Sequence, residues 1–376
     1  MRWRAVVVAA GLAGAGIVVT PAGASAADLA GLVKPLAGSL GAGFVQVAAG
    51  QPFGMATPGP ATTTPEGDDP VNYIGYSYQD PLIRGFALNH FSGAGIHIGG
   101  ELPFMPTTGS VTTSDPSSYA SPFDHAEEDA EAGYYAVTLD RYQVRAEMTA
   151  TPRVAYERFS FPSTATQDNV LLDVARDNDG VQSGSLRVVD DHTIVGSVTG
   201  RLGKAFTLWF TARFDRPFVA HGTWAGSALS PSSSAVDGSG AGGWVTFDPA
   251  GGASVGVRVG LSWLSADGAT RNLDAEAPPS VGFDAVRQAA HDAWNKRLHA
   301  IEVTPATGGP TASTFYTALY HSMLLPVVFD DADGDYLGFD GVVHHVPTGH
   351  RHRDYGRRLR HADVGDARRG SRVARR

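Results

Sequence analysis

The sequence predicts a mostly β protein, a large antiparallel β-sandwich followed by a few α-helices. Three observations carry this. Short runs of β-branched and aromatic residues recur from about residue 51 to 275, each bounded by Gly, Pro, Asp or Ser. Glycine (46) and proline (23) are abundant, which favours turns over long helices. Near residue 283 the apolar residues change to helical spacing.

The chain opens with Arg2 and Arg4, an apolar run from Ala5 to Val19 and the small residues Ala24-Ser25-Ala26. That is the pattern of a cleaved secretory signal over residues 1–26, and the apolar run is short of the roughly 20 residues a bilayer span needs. The expected mature protein is exported, secreted or extracytoplasmic, with no membrane attachment. Cysteine is absent. This excludes thiol catalysis, disulfides and Cys-based zinc sites, and leaves a large core as the source of stability. The net charge of −9 is unevenly spread. Ten Arg against three Asp in 351–376, and two Arg in 1–26, leave residues 27–350 at −18. An acidic body of this kind argues against nucleic acid as a partner and suits neutral substrates.

Residues 27–50 are rich in Gly and Ala. Strands are expected at Tyr134–Leu139, Arg158–Phe161, Val170–Val174, Ala205–Ala212 and Ser254–Leu261. The Ser/Gly/Ala/Pro-rich stretch 225–243 reads as a hairpin loop. Phe283, Val286, Ala290, Trp294 and Leu298 then form one helical face, with Ser280 and Pro278-Pro279 ahead of it. A second helix is expected from about Thr311 to Leu325, closed by Pro326. The expected organisation is a signal (1–26), a β-sandwich (27–276), linker helices with the start of a catalytic region (277–349) and a non-native Arg-rich tail (350–376).

The run Arg84-Gly85-Phe86-Ala87-Leu88-Asn89-His90-Phe91-Ser92-Gly93-Ala94-Gly95 resembles the Gly-Phe-Ser-x-x-His-x-Ser-Gly-x-Gly loop of glycoside hydrolase family 92, the calcium-dependent exo-α-mannosidases. Five further segments resemble that family in its order: Pro52-Phe53-Gly54-Met55, Pro103 to Gly109, His125 to Tyr135 (His-x-x-Glu-x-Ala-x-x-Gly-Tyr-Tyr), Ala269 to Leu273 with Glu276, and the helices around Ala293–Leu298 and Thr314–His321. Gly43 to Gly50 departs from the family's opening. After His345 the family's Ser-x-Trp-Asp-x-Tyr-Arg segment is missing, and no tryptophan follows Trp294. The Arg-rich tail is read as a frameshift product, and the chain as truncated before the family's (α/α)6 barrel.

The resemblance implies inverting hydrolysis of terminal α-mannosides, such as α-1,2-linked mannose, by the full-length enzyme, with mannose-containing glycans as its partners. Such hydrolysis needs a carboxylic acid and a carboxylate base across the scissile bond. In the family these groups, and most ligands of its calcium, lie in the barrel. No catalytic and no metal-binding residue is therefore assigned here, and this fragment is expected to bind no calcium and to be inactive alone. The alternative is a carbohydrate-binding, lectin-like sandwich without catalysis. The expected substrate-binding residues are Arg84, Gly85, Phe86, His90 and Gly93. Glycines allow close backbone approach, Phe86 supplies an aromatic face, and His90 a donor and acceptor. The same loop also reads as a packed inter-strand turn with a satisfied core histidine, and the resemblance places it where it would help wall the family's active site. The acidic cluster Glu127-Glu128-Asp129 with Glu131 reads as a solvated or capping run. Asp330, Asp331, Asp333 and Asp335 read as a turn, because Gly334 falls too early for an EF-hand loop and the closing Glu is absent. His344, His345, His350 and His352 are not assigned as ligands, since adjacent strand residues point apart. The linker helices are expected to show apolar stripes and to self-associate through them.

Overall fold

Alternating apolar residues bounded by turn formers fold as strands because each can then bury one face. The computed structural model describes residues 27–62, 74–93, 97–200, 207–304, 311–338, 340–347 and 350–354. In chain order the strands are β1 (Gly59–Pro60), β2 (Leu82–Ile83), β3 (Phe86–Ala87), β4 (Phe104–Thr108), β5 (Ser121–Pro122), β6 (Asp129–Glu131), β7 (Tyr134–Leu139), β8 (Val144–Ala150), β9 (Val154–Ser160), β10 (Asp168–Asp173) and β11 (Val181–Val188). They continue as β12 (Thr193–Gly200), β13 (Thr207–Phe214), β14 (Ala220–Ala225), β15 (Ala228–Pro231), β16 (Ala235–Gly238), β17 (Ala241–Phe247), β18 (Ser254–Ser262), β19 (Val327–Val328), β20 (Asp335–Leu337), β21 (Val343–His345) and β22 (Arg353–Asp354). The helices are α1 (Pro116–Tyr119), α2 (Ala266–Glu276), α3 (Phe283–Leu298) and α4 (Ala312–Ser322).

Two antiparallel sheets make the sandwich. One has seven strands in the order β1-β3-β4-β10-β17-β14-β15; the other has nine, β16-β11-β12-β13-β18-β9-β8-β7-β6. Phe86, Phe104, Leu172 and Val245 from the first meet Val137, Phe159, Phe210 and Val257 from the second in one buried apolar core. Each large apolar side chain so buried contributes about 1.5–3 kcal/mol. The expected β-sandwich is therefore the observed fold. Strand β7 has the predicted bounds, and β13 takes most of the predicted run at 205–212, whose first two residues lie outside the described ones.

The stretch 225–243 is more than a hairpin loop. It holds β15, which pairs with β14, and β16, which pairs with β11 on the other sheet. Backbone pairing to an existing edge needs no apolar side chain, so Ser- and Gly-rich sequence crosses here from one sheet to the other.

Helix α2 packs on the outer face of the nine-stranded sheet. A Cβ on Gly260 would run into Ala269 O and Leu273 Cβ. Its N-cap is Ser265, whose Oγ accepts from Gly268 N at 3.0 Å. Helix α3 has the predicted bounds, but its N-cap is Gly282 rather than Ser280. Trp294 on α3 is buried and its indole N–H donates to Gly50 O at 2.8 Å. In α4, Thr311 Oγ1 caps Thr314 N at 3.1 Å.

The apolar stripe of α3 is covered, while Phe315, Leu319 and Met323, the stripe expected on α4, are half-buried. Trp294 and Leu298 of α3 and Tyr316 and Tyr320 of α4 form a buried cluster with Leu29, Ala30 and Val33. Hydrogen bonds fix that N-terminal segment in place: Leu29 N to Asn295 Oδ1 (2.7 Å), Lys34 N to Thr317 Oγ1 (3.0 Å) and Ser313 Oγ to Leu32 O (2.7 Å). Residues near 30, which carry little pattern of their own, cover the stripe. Among the described residues no helix is long and apolar enough to cross a membrane. The expected signal, residues 1–26, lies outside the described residues.

Candidate functional site

The Gly-rich loop is stitched into the sandwich from its first residue. Arg84 N donates to Ala61 O at 2.8 Å, its guanidinium donates to Thr62 O, and its own carbonyl accepts from Arg176 Nη1 at 2.9 Å. Burial and the nearby Arg176 lower the Arg84 pKa. Gly85 has φ +143°, and a Cβ there would stand 2.8 Å from Pro103 Cβ. Phe86 is wholly buried, in register with Pro60 and Phe104, with its ring 6.4 Å from that of Phe159. It therefore presents no face to a ligand: the expected aromatic platform is a core side chain, because the strand it sits on turns it inward.

His90 is also inside. Its N–H donates to Thr57 Oγ1 at 2.7 Å, and Nδ1 lies 3.0 Å from Thr57 O. Burial pushes its pKa down to about 4, against the opposing pull of the Thr57 and Pro60 carbonyls. A neutral ring with Nδ1–H donating to the Thr57 carbonyl follows. Among the described residues of the loop, Arg84 and Ser92 are half-buried and Gly93 is exposed. Gly93 is exposed at φ +73° with open space where a Cβ would be, and its N–H donates to Phe44 O at 2.7 Å. Gly95 lies outside the described residues.

The sequence reading missed Gln46. It is 1% exposed, and neither atom of its amide finds a hydrogen bond among the described residues. Its backbone N donates to Ser92 Oγ at 3.4 Å, and Asn89 Nδ2, likewise buried, is also unpartnered. Unpaired buried amides cost free energy that a partner would recover. The available signal was a polar residue between Val45 and Val47 in an otherwise apolar run.

The acidic cluster divides in two. Glu127 accepts from Thr138 Oγ1 at 2.9 Å, and Glu131 pairs with Arg287 at 2.9 Å. Glu128 instead turns its carboxylate inward, fully buried, where it accepts from Tyr76 OH (2.9 Å) and Tyr135 OH (2.7 Å) and meets His125 Nδ1. The ring of Tyr78 stacks on His125 at 3.8 Å. The Tyr76 and Tyr135 hydroxyls are pushed well above the ordinary tyrosine pKa by burial first and by the Glu128 charge next. Glu128 thus ties the segment 74–78 to β7.

The Asp-rich turn is a clasp. Arg153, 1% exposed, places Nη1 2.6 Å from Glu276 Oε1 and Nη2 2.7 Å from Asp330 Oδ2. Asp330 Oδ1 also accepts from His352 N at 2.8 Å. Asp331 accepts from Ser262 Oγ (2.9 Å) and Asn272 Nδ2 (2.8 Å). Burial raises the Asp331 pKa, and those two hydrogen bonds oppose it. Asp333 pairs with Arg271 and Asp335 with His345. His344 pairs with Asp340, and His352 stacks on Tyr336 at 3.9 Å. The Arg-rich tail does not begin as an appendage at 350: β22 pairs with β19, and Phe329 N donates to His352 O at 3.0 Å.

Calcium takes six to eight oxygen ligands. Asp330 and Asp331 are committed to arginine, amide and hydroxyl donors, so the turn does not fit the ion. Among the described residues the one group of three close ligands is Asp190, Asp191 and His192 on the β11–β12 turn. Two exposed carboxylates and an imidazole are a poor match to that oxygen-rich shell.

Residues 32–262 match the family model described as glycosyl hydrolase family 92 N-terminal domain. The chain belongs to glycoside hydrolase family 92. Residues 268–357 match the model of the family's catalytic domain, so that match starts in α2 and takes in the clasp. A family GH92 α-mannosidase from Bacteroides thetaiotaomicron, BT3965, solved with mannoimidazole, is 29% identical with a TM-score of 0.78, over 87% of this chain and 44% of that one. The GH92 glycosyl hydrolase ccman5 is 31% identical with a TM-score of 0.78, over 87% and 45%. An uncharacterized secreted glycosidase of Arthroderma benhamiae is 26% identical over 80% of this chain and 42% of its own. The chain spans less than half the length of these relatives.

Proposed function

We propose that this chain supplies the β-sandwich and connecting helices of a secreted family 92 glycosidase acting on terminal α-mannosides, and that it does not hydrolyse them by itself. The support for an α-mannoside is the family together with a similar solved structure named as an α-mannosidase. The observation that carries the second half is the state of the acidic residues. Inverting hydrolysis needs two carboxyl groups facing one cleft, about 6.5–9.5 Å apart. Glu127, Glu128, Glu131, Asp330, Asp331, Asp333 and Asp335 each hold a structural partner instead. The test is an assay of the purified chain with an activated α-mannoside, with and without calcium. The expected result is no turnover. Turnover that is lost on a single substitution within this chain, Glu128→Gln for instance, overturns the proposal.

A further inference from the structure

A cavity of about 310 Å³ lies between the outer face of the nine-stranded sheet and the α2–α3 connection, away from the Gly-rich loop. Tyr156, Arg158, Asp215, Arg258, Gly282 and Phe283 are among its walls. Tyr156 on β9 and Arg258 on β18 are register partners, so their side chains stand beside each other on that face. The Tyr156 ring packs beneath α2 and α3 with Leu273 and Val286 and is 3% exposed, yet its hydroxyl has no hydrogen-bond partner. Arg258 donates one N–H to Ala277 O at 3.0 Å, and among the described residues no carboxylate pairs with it.

The third wall is the start of α3. This helix is sixteen residues long, and its N-cap, Gly282, offers no side-chain cap. Its free amides and dipole place partial positive charge at the cavity. The acid of its first turn, Asp284, is neutralised by Arg158 at 3.1 Å, a wall residue that Glu147 also engages at 2.7 Å. Two acids are among the cavity's walls: Glu157, whose side chain turns away into the core between Ala155 and Phe159, and Asp215, exposed, with Oδ1 accepting from Gly256 N at 2.9 Å. A buried unpartnered hydroxyl, spare guanidinium donors and an uncapped helix start therefore converge, and donors predominate.

We propose that this cavity binds a small oxyanion, a carboxylate or phosphate group carried on a small molecule. Tyr156 OH and Arg258 would donate to the oxyanion beside the α3 N-terminus, with Phe283 and Val281 as the apolar wall for its carbon skeleton. The inference is independent of the glycosidase reading.

The test is calorimetric titration of the chain at constant ionic strength with inorganic phosphate, with glucuronate, and with glucose as the neutral control. Saturable binding of an anion, and none of glucose, is expected. Saturation by phosphate alone assigns a phosphate group, and by glucuronate alone a carboxylate. Tyr156→Phe keeps the packed ring and should weaken binding about tenfold. Arg258→Gln should abolish it. Because Arg258 also caps α2, Asp215→Asn serves as the second reading: removing a like charge should tighten phosphate binding, a gain that a purely structural role would not produce. No saturation by either anion, equal binding of glucose, or unchanged affinity in both Tyr156→Phe and Asp215→Asn overturns the proposal.

Discussion

Glu157 is a carboxyl group inside the sandwich. It sits on β9 between Met148 and Val257 in register, is 1% exposed, and neither oxygen has a partner among the described residues. Its neighbours Tyr156 and Arg158 face α3, so the strand turns Glu157 toward the core with Ala155 and Phe159. Burial raises its pKa well above the ordinary 4.5. The folded protein therefore holds a proton that the unfolded chain releases. The stability this group contributes is fully present below 4.5 and is lost as pH rises toward the folded value, at about 1.4 kcal/mol per pH unit. Glu157→Gln has no proton to lose. Above about pH 5 it should gain on the wild type at up to about 1.4 kcal/mol per pH unit until the folded carboxyl ionises, against a total stability of roughly 5–15 kcal/mol. Urea unfolding of both proteins at pH 5, 6 and 7 measures this, since all other titrations are common to the pair. Curves that stay parallel across that range would refute the reasoning and mean that Glu157 finds a partner or reaches water.

Two further outcomes follow from the packing. Arg153→Met leaves the buried Asp330 without its main counter-charge and should cost about 3–5 kcal/mol, with hydrogen exchange rising first in residues 327–354; a loss below about 1 kcal/mol would show that Arg351, 3.4 Å from Asp330, carries the pair. Gly133→Ala places a side chain at φ +91° and a Cβ 2.8 Å from Ala290 Cβ, so it should cost about 1–3 kcal/mol and make α3 the first site of limited proteolysis.

The strands and α3 were legible because each is a local pattern: alternation along Tyr134–Leu139, and one apolar face from Val286 to Leu298. Helix α2 was legible only as a motif. Gly268, Thr270 and Asn272 are poor helix formers, and the helix exists because the sheet beneath it takes Ala269 and Leu273 into the core. The family, too, could be read from the spacing of short motifs along the chain.

What the sequence could not convey is which side chains face one another across long separations. The loop around His90 advertises glycines, an aromatic ring and an imidazole, the composition of a sugar site. Thr57, 33 residues earlier, takes the imidazole inside, and Phe104 and Phe159 take the ring of Phe86. Glu128 and Asp330 read no differently from their acidic neighbours until the fold brings Tyr76, 52 residues away, and Tyr135 onto Glu128, and Arg153, 177 residues away, onto Asp330. Local sequence determined the patterned strands such as β7, helix α3 and the family motifs, because those depend on neighbours along the chain, whereas β15 and β16 exist only through the sheet edges they pair with. Tertiary structure alone decided which polar groups are spent on holding the fold and which remain free for a ligand, because a buried charge or hydroxyl is defined by the partner it meets in space.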